Sequence, residues 1–214
     1  MIMLPPYTEK LDPGRQEVFK KLKRFSSDFT LAGGTALMLW IGHRISYDFD
    51  CFSMNLLPDS LLRKAKNIFG KTIFPELDTK EQLTFKTPQR VSITFVYHPY
   101  KALKPLINTS SIPLFDPDDL AANKAYTIGR RPAWRDYIDL FFFLKSNLYT
   151  IDTLIKLADK KFRGEFNPKL FLEQLVYFDD LNISPTKFLK ESYTDAFIQS
   201  FLEKKVAEYL KKVL

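Results

Sequence analysis

A chain of 214 residues with 45% hydrophobic and 27% charged residues is long enough to bury a core, and this composition excludes a disordered polypeptide. No apolar run reaches the roughly 18 residues that a membrane span needs, and "MIMLPPYTEKLDPG" lacks the basic start and long apolar stretch of a secretory leader. The single cysteine, Cys51, excludes an internal disulfide; the expectation is a cytoplasmic protein in a reducing compartment, with Cys51 a small buried core residue. The formal charge of +7 is uneven, with 16 Lys/Arg against 10 Asp/Glu through residue 115 and 16 against 15 from residue 116. A basic half attracts phosphate-bearing partners, although lysines also solubilise a phenylalanine-rich chain.

In chain order, "PGRQEVFKKLKRF" (13–25) has helical spacing, with Val18, Leu22 and Phe25 on one side and basic residues on the other. "FTLAGG" reads as a short strand entering a glycine turn, "TALMLWIG" as a buried helix, and "YDFDCF" as an alternating strand. "PDSLLRKAKNIFG" (58–70) predicts a helix capped by Asp59 or Ser60 and stopped at Gly70. "QLTFK" and "RVSITFVY" predict two strands joined at "TPQ" as a hairpin. From Asp118 onward the pattern is helical: "DDLAANKAYTIGR", "AWRDYIDLFFFLKS", "TIDTLIKLADKKF", "PKLFLEQLVYF" and "YTDAFIQSFLEKKVAEYLKKVL". Arg131–Pro132, Asn167–Pro168 and Ser184–Pro185 mark breaks between them. The expected organisation is a mixed α/β core over 1–115 and a helical bundle over 116–214.

The segment "LAGGTALMLWIGHRISYDFDCFS" carries the chemistry. On a strand, Asp48 and Asp50 point one way while Tyr47, Phe49 and Cys51 point the other. Two carboxylates on one face repel unless a cation lies between them, and magnesium is held by one or two carboxylates plus waters and substrate phosphates. An isolated Asp-x-Asp more often marks a solvent-facing strand edge. Here it follows Gly33 and Gly34, which precede a helix N-terminus where backbone N–H groups and the helix dipole favour an anion. Thr35 would cap that helix or donate to a phosphate oxygen. Neither His43 nor His98 has a second histidine or a cysteine at ligand spacing, which argues against zinc.

"GGTAL…HRIS-YDFD" resembles the first motif of the AbiEii/AbiGii-type nucleotidyltransferase toxins, in the DNA polymerase β-like superfamily. "DDLAANKAYTIGRRPAWRDYIDLFFFL" (118–144) is similar to that family's lysine-bearing helix and the Arg/Lys-Asp-x-x-Asp-Leu helix after it. The resemblance spans about residues 28–145. It implies an α+β fold, a mixed-sheet nucleotidyltransferase core followed by a C-terminal helical bundle. It also implies that Gly33, Gly34 and Thr35 hold a triphosphate, helped by Arg44 and Ser46, and that Asp48 and Asp50 hold Mg2+. Lys124 would reach a phosphate or the developing charge; Asp136 would act near the incoming hydroxyl or orient Lys124, with Asp139 in support. Asp136 and Asp139 are i and i+3 on an otherwise apolar helix and need a cation, for which Lys124, Arg130, Arg131 and Arg135 are candidates.

One departure from the pattern stands out. Many polymerase β-like enzymes carry a third carboxylate on a neighbouring strand, yet no Asp or Glu occurs between Glu81 and Asp116. If "RVSITFVY" pairs beside "YDFDCF", Ser92 or Thr94 takes that place. The expected function is transfer of a nucleoside monophosphate from a nucleoside triphosphate to an acceptor hydroxyl, RNA such as tRNA among the candidates. The resemblance further implies a bacterial toxin with a cognate antitoxin. The alternatives are a catalytically degenerate nucleotide- or RNA-binding module and a small-molecule modifier.

Overall fold

The computed structural model describes residues 8–128 and 130–213. Residues 1–7 of the stretch read for a leader, Gly129 in "DDLAANKAYTIGR" and the terminal Leu214 lie outside the described residues. The chain folds as two compact units, one ending at Asp116 and the other starting at Pro117.

Among the described residues, the first unit is built on five strands: β1 (Thr30–Ala32), β2 (Phe49–Ser53), β3 (Pro75–Asp78), β4 (Gln82–Lys86) and β5 (Ser92–Tyr97). Their order across the sheet is β1-β2-β5-β4-β3. β2 and β5 run parallel, and the other neighbours pair antiparallel. Alternation divides the faces. Phe49, Cys51, Leu83, Phe85, Ile93 and Phe95 are buried, while Asp50, Thr84 and Thr94 are half-buried on the other side. Helices α1 (Pro13–Leu22) and α3 (Leu61–Phe69) cover the apolar face. Phe19 stacks on Phe49, and Phe25 contacts Phe69 and Phe95, while Phe69 contacts Phe85. These phenylalanines form one aromatic layer under the sheet. Helix α2 (Gly33–Ile41) follows β1 directly, and Thr35 through Leu39 are buried.

The second unit holds α4 (Pro117–Thr127), α5 (Trp134–Lys145), α6 (Ile151–Lys161), α7 (Pro168–Leu175) and α8 (Asp195–Val213). The proline breaks act as expected: Pro168 opens α7, with Asn167 capping it by accepting a hydrogen bond from the Leu170 N–H at 3.1 Å. Tyr126 stacks on Phe162 with centroids 3.9 Å apart, and Phe141 meets Phe201 edge-on at 5.1 Å. Lys161 and Asp119 form an ion pair at 2.7 Å, and both side chains are fully buried.

Three sequence expectations need revision. "YDFDCF" is strand only from Phe49, so Asp48 stands just before β2. Strand β3 is not predicted by the sequence pattern; at the sheet edge it exposes most of its residues and carries no apolar alternation. Helix α7 stops at Leu175, before "VYF"; the Tyr137 hydroxyl donates to the Gln174 carbonyl at 3.0 Å, with the Tyr177 carbonyl 3.3 Å from the same oxygen.

Candidate active site

In the first unit, the glycine pair and the aspartate strand meet. Ala32 at the end of β1 pairs with Asp50 on β2, which places the start of α2 beside the Asp50 carboxylate. Gly33 has φ +66°, and a Cβ there would lie 2.0 Å from Asp50 Oδ2. Only glycine meets both demands, a left-handed backbone and a carboxylate in the space of its side chain. A Cβ on Gly34 would lie 2.8 Å from both Arg44 Nη2 and Ser46 Oγ. The bare first turn of α2 is therefore surrounded by Asp50, Arg44 and Ser46, and Arg44 is 2% exposed. A buried guanidinium beside a helix N-terminus is a setting that favours phosphate oxygens.

The irregular segment between α2 and β2 is held from three sides. The Thr35 hydroxyl donates to the Asp48 carbonyl, the Arg15 guanidinium donates to the Ser46 carbonyl, and the Ser46 N–H points at Met38 Sδ at 3.3 Å. Thr35 therefore does not cap α2, whose N-cap is Ala32 with no side-chain hydrogen bond. Its one hydroxyl hydrogen positions Asp48 instead. Arg15 is the residue that sequence reading missed. It is 4% exposed, its Nε donates to Asp12 Oδ2 at 2.9 Å, and its guanidinium lies 5.1 Å from the Tyr47 ring centroid. Nothing local in "LDPGRQ" announces a contact with a carbonyl 31 residues away.

Asp50 and Thr94 are direct partners across the parallel β2–β5 pair, so a hydroxyl does stand beside the aspartate. Thr94 continues into a polar ladder with Thr84 at 3.3 Å, and Thr84 in turn accepts from Gln82 at 3.0 Å. Among the described residues, no group of three or more His, Cys, Asp or Glu side chains is placed to hold a metal ion. The donors present are Asp48, half-buried just before β2, and Asp50, half-buried on β2. Two hard oxygen donors beside an anion cradle fit magnesium, which completes its coordination with water and phosphate. Cys51 behind them is a fully buried free thiol; burial, then the Asp50 charge, pushes it well above its usual range, so it is inert.

In the second unit, Lys124 on α4 is 5% exposed and its Nζ lies 2.5 Å from Asp136 Oδ1 and 2.7 Å from Asp139 Oδ2, both on α5. Arg131 clamps Asp136 from outside, Nε to Oδ2 at 2.7 Å and Nη2 to Oδ1 at 2.9 Å. Of the four candidate cations, Lys124 and Arg131 serve this cluster. Arg130 instead lies 3.8 Å over the Tyr126 ring and donates to the Glu165 carbonyl, and Arg135 is exposed. Burial would raise the Asp136 carboxyl, but Lys124 and Arg131 outweigh it and hold it below the usual carboxylate range. An ammonium has three N–H donors, and the two carboxylates occupy two of those on Lys124.

Comparison with solved structures identifies the fold. A crystal structure from H. pylori assigned to the nucleotidyltransferases superposes with TM-score 0.59 at 16% identity, covering 95% of this chain and 99% of that one. MenT4, the nucleotidyltransferase toxin Rv2826c from Mycobacterium tuberculosis H37Rv, superposes with TM-score 0.56 at 15% identity, covering 92% and 85%. The fold is therefore α+β and nucleotidyltransferase-like. The chain belongs to the AbiEii family, "Nucleotidyl transferase AbiEii toxin, Type IV TA system", whose pattern matches residues 20–212. A relative in Aquifex aeolicus (strain VF5), the uncharacterized protein aq_aa25, is 28% identical over 207 residues, covering 94% of this chain and 98% of that one. No helix among the described residues is long and apolar enough to cross a membrane.

Proposed function

We propose that this protein transfers a nucleoside monophosphate from a nucleoside triphosphate to a hydroxyl of an RNA acceptor, as the toxin partner of a cognate antitoxin. A new bond forms between the acceptor oxygen and the α-phosphorus, the bond from that phosphorus to the bridging oxygen breaks, pyrophosphate leaves, and the acceptor's hydroxyl proton passes to solvent water. The backbone N–H groups at Gly33–Thr35, with Arg44 and Ser46 beside them, bind the triphosphate. Asp48 and Asp50 hold Mg2+, which when bound neutralises charge on the phosphates. Thr35 and Arg15 keep the segment bearing Asp48 in place.

Lys124 contributes positive charge to the same reaction, and Asp136 and Asp139 fix its ammonium. A carboxyl held below its usual range is a weak proton acceptor, so Asp136 fits the orienting role better than that of a base toward the acceptor. Arg135, one residue before Asp136 and exposed, supports the site through long-range attraction for phosphate.

The observation that carries this reading is the Gly33–Asp50 approach, since a carboxylate packed into the space of a missing side chain ties the anion cradle to the metal-binding strand. The test is pyrophosphate release from each of the four nucleoside triphosphates, with total RNA or with a panel of hydroxylated small molecules as acceptor. RNA-dependent release supports the reading; release only with small molecules replaces the acceptor. A second reading, a nucleotide- or RNA-binding module without catalysis, is favoured by one feature, the neutral Thr94 beside Asp50. Absence of release with every acceptor would select it.

A further inference from the structure

A separate cavity of about 260 Å³ lies in the first unit, lined by Ser26–Thr30, Phe52–Asn55, His98, Tyr100 and neighbouring residues. Phe52 is two residues beyond Asp50 on the same face of β2, roughly 7 Å further along the strand. Its ring lies 4.6 Å from that of His98 at 35°, and His98 meets Tyr100 at 4.9 Å and 63°. Phe115 closes the far side, 6.3 Å from Phe52. The rim is apolar and open, with Met54 49% and Leu106 39% exposed. Ser26, Ser27, Asp28, Ser53 and Asn55 bring hydrogen-bonding groups to the same space.

Three features narrow the occupant. The volume is just below the roughly 300–1,000 Å³ of ordinary ligand pockets, a size that suits one ring system. Aromatic side chains beside hydroxyl, amide and carboxylate groups suit a planar, hydrogen-bonding ring. The surroundings are cationic. Lys23 and Arg24 are exposed just before the Ser26–Asp28 turn, and Lys101 and Lys104 are exposed on the loop that carries Tyr100. Lys64 on α3 lies 3.8 Å from Asp28, the carboxylate lining the cavity. Lysines and an arginine near the cavity attract a polyanion, and on the reading above a nucleoside triphosphate has its phosphate site at Gly33–Gly34.

The geometry points to this cavity as the seat of one unstacked base of the single-stranded RNA acceptor, with the adjoining phosphates drawn to Lys23, Arg24, Lys64, Lys101 and Lys104. The inference rests on the RNA-acceptor reading above. It places an acceptor subsite on the α/β unit, next to the aspartate strand, where a bound base would hold the RNA in register with the reacting hydroxyl.

The experiment is fluorescence anisotropy of the full chain with a fluorescein-labelled 12-nucleotide single-stranded RNA of mixed sequence, beside calorimetric binding of a nucleoside triphosphate. F52A and Y100A should each weaken RNA binding roughly 5- to 100-fold, the range for one base stacked on an aromatic ring. F52W should retain binding, and triphosphate affinity should change less than about twofold in all three. K23E/R24E should weaken every RNA sequence alike and lower the salt slope by about one for each phosphate left without its cation. Should F52A fail to fold, M54E on the exposed rim puts a carboxylate against the polyanion and should weaken RNA binding as well. Unchanged RNA affinity in Y100A and M54E would overturn the inference. Weakened triphosphate binding with RNA unaffected would also overturn it, by assigning the cavity to the donor base. A wild-type protein that binds no RNA at low salt would instead defeat the acceptor reading itself.

Discussion

Replacing Gly33 with alanine puts a methyl group where the Asp50 carboxylate now lies. Two costs follow. The left-handed backbone at φ +66° disfavours any side chain by about 1–2 kcal/mol. The new Cβ starts 2.0 Å from Asp50 Oδ2, so the carboxylate must retreat by about 1.4 Å to regain ordinary van der Waals contact. Together these predict a loss of about 1–3 kcal/mol, a fall in Tm of roughly 2–12 °C, with the fold retained. The functional effect is larger, because moving a catalytic group by about 1 Å costs on the order of 100-fold in rate. Thermal unfolding and nucleotide-transfer rates of G33A, D50A and the double variant measure both. In the D50A background the stability cost of G33A should shrink to its backbone share, about 1–2 kcal/mol. A G33A protein with wild-type transfer rate, or one equally destabilised with and without Asp50, would refute the argument.

Two further outcomes follow from the site geometry. K124M removes the ammonium from between two buried carboxylates and should cost about 3–5 kcal/mol in urea unfolding at pH 7. Because the folded Asp136 carboxyl is held below its usual range, its stabilisation is complete above the unfolded value near pH 4 and is lost as pH falls through the folded one. The gap between wild type and K124M should therefore narrow between about pH 5 and pH 2, and a constant gap would contradict the ion-pair account. For the metal, the wild-type protein should bind Mg2+ only at millimolar levels without nucleotide, and T94D, with a third acid beside Asp50, should bind at least about tenfold tighter by titration calorimetry. No gain in T94D would mean that the Asp50 and Thr94 side chains do not share a common point.

The sequence announces those parts of the site that depend on short spacing. A glycine pair before an apolar run locates the bare helix start, and the alternation in "YDFD" is read as strand one residue pair too early, since β2 begins at Phe49. Which cation partners which acid is a different matter. Asp136 and Asp139 visibly need one, but choosing Lys124 and Arg131 over Arg130 depends on where Tyr126 and Glu165 sit, and that is fixed only by packing. Arg15 and Thr35 spend their donors on carbonyls 31 and 13 residues away, contacts with no periodic signature. The register between β2 and β5 is equally non-local, and it alone decides that Thr94 and not Ser92 stands beside Asp50. Edge strand β3 is invisible in the sequence because a strand that buries little has no apolar pattern to read.

The central claim is that Asp48 and Asp50 drive nucleotide transfer to RNA. The direct measurement incubates the purified protein with Mg2+, total RNA and each α-³²P-labelled nucleoside triphosphate in turn, and follows label on RNA by gel. Wild-type protein should label RNA with at least one nucleotide. Label should vanish without Mg2+ and in D48N and D50N, while both variants keep their fold and their RNA affinity. Equal labelling by D48N and wild type, or none by wild type with any nucleotide, would contradict the account.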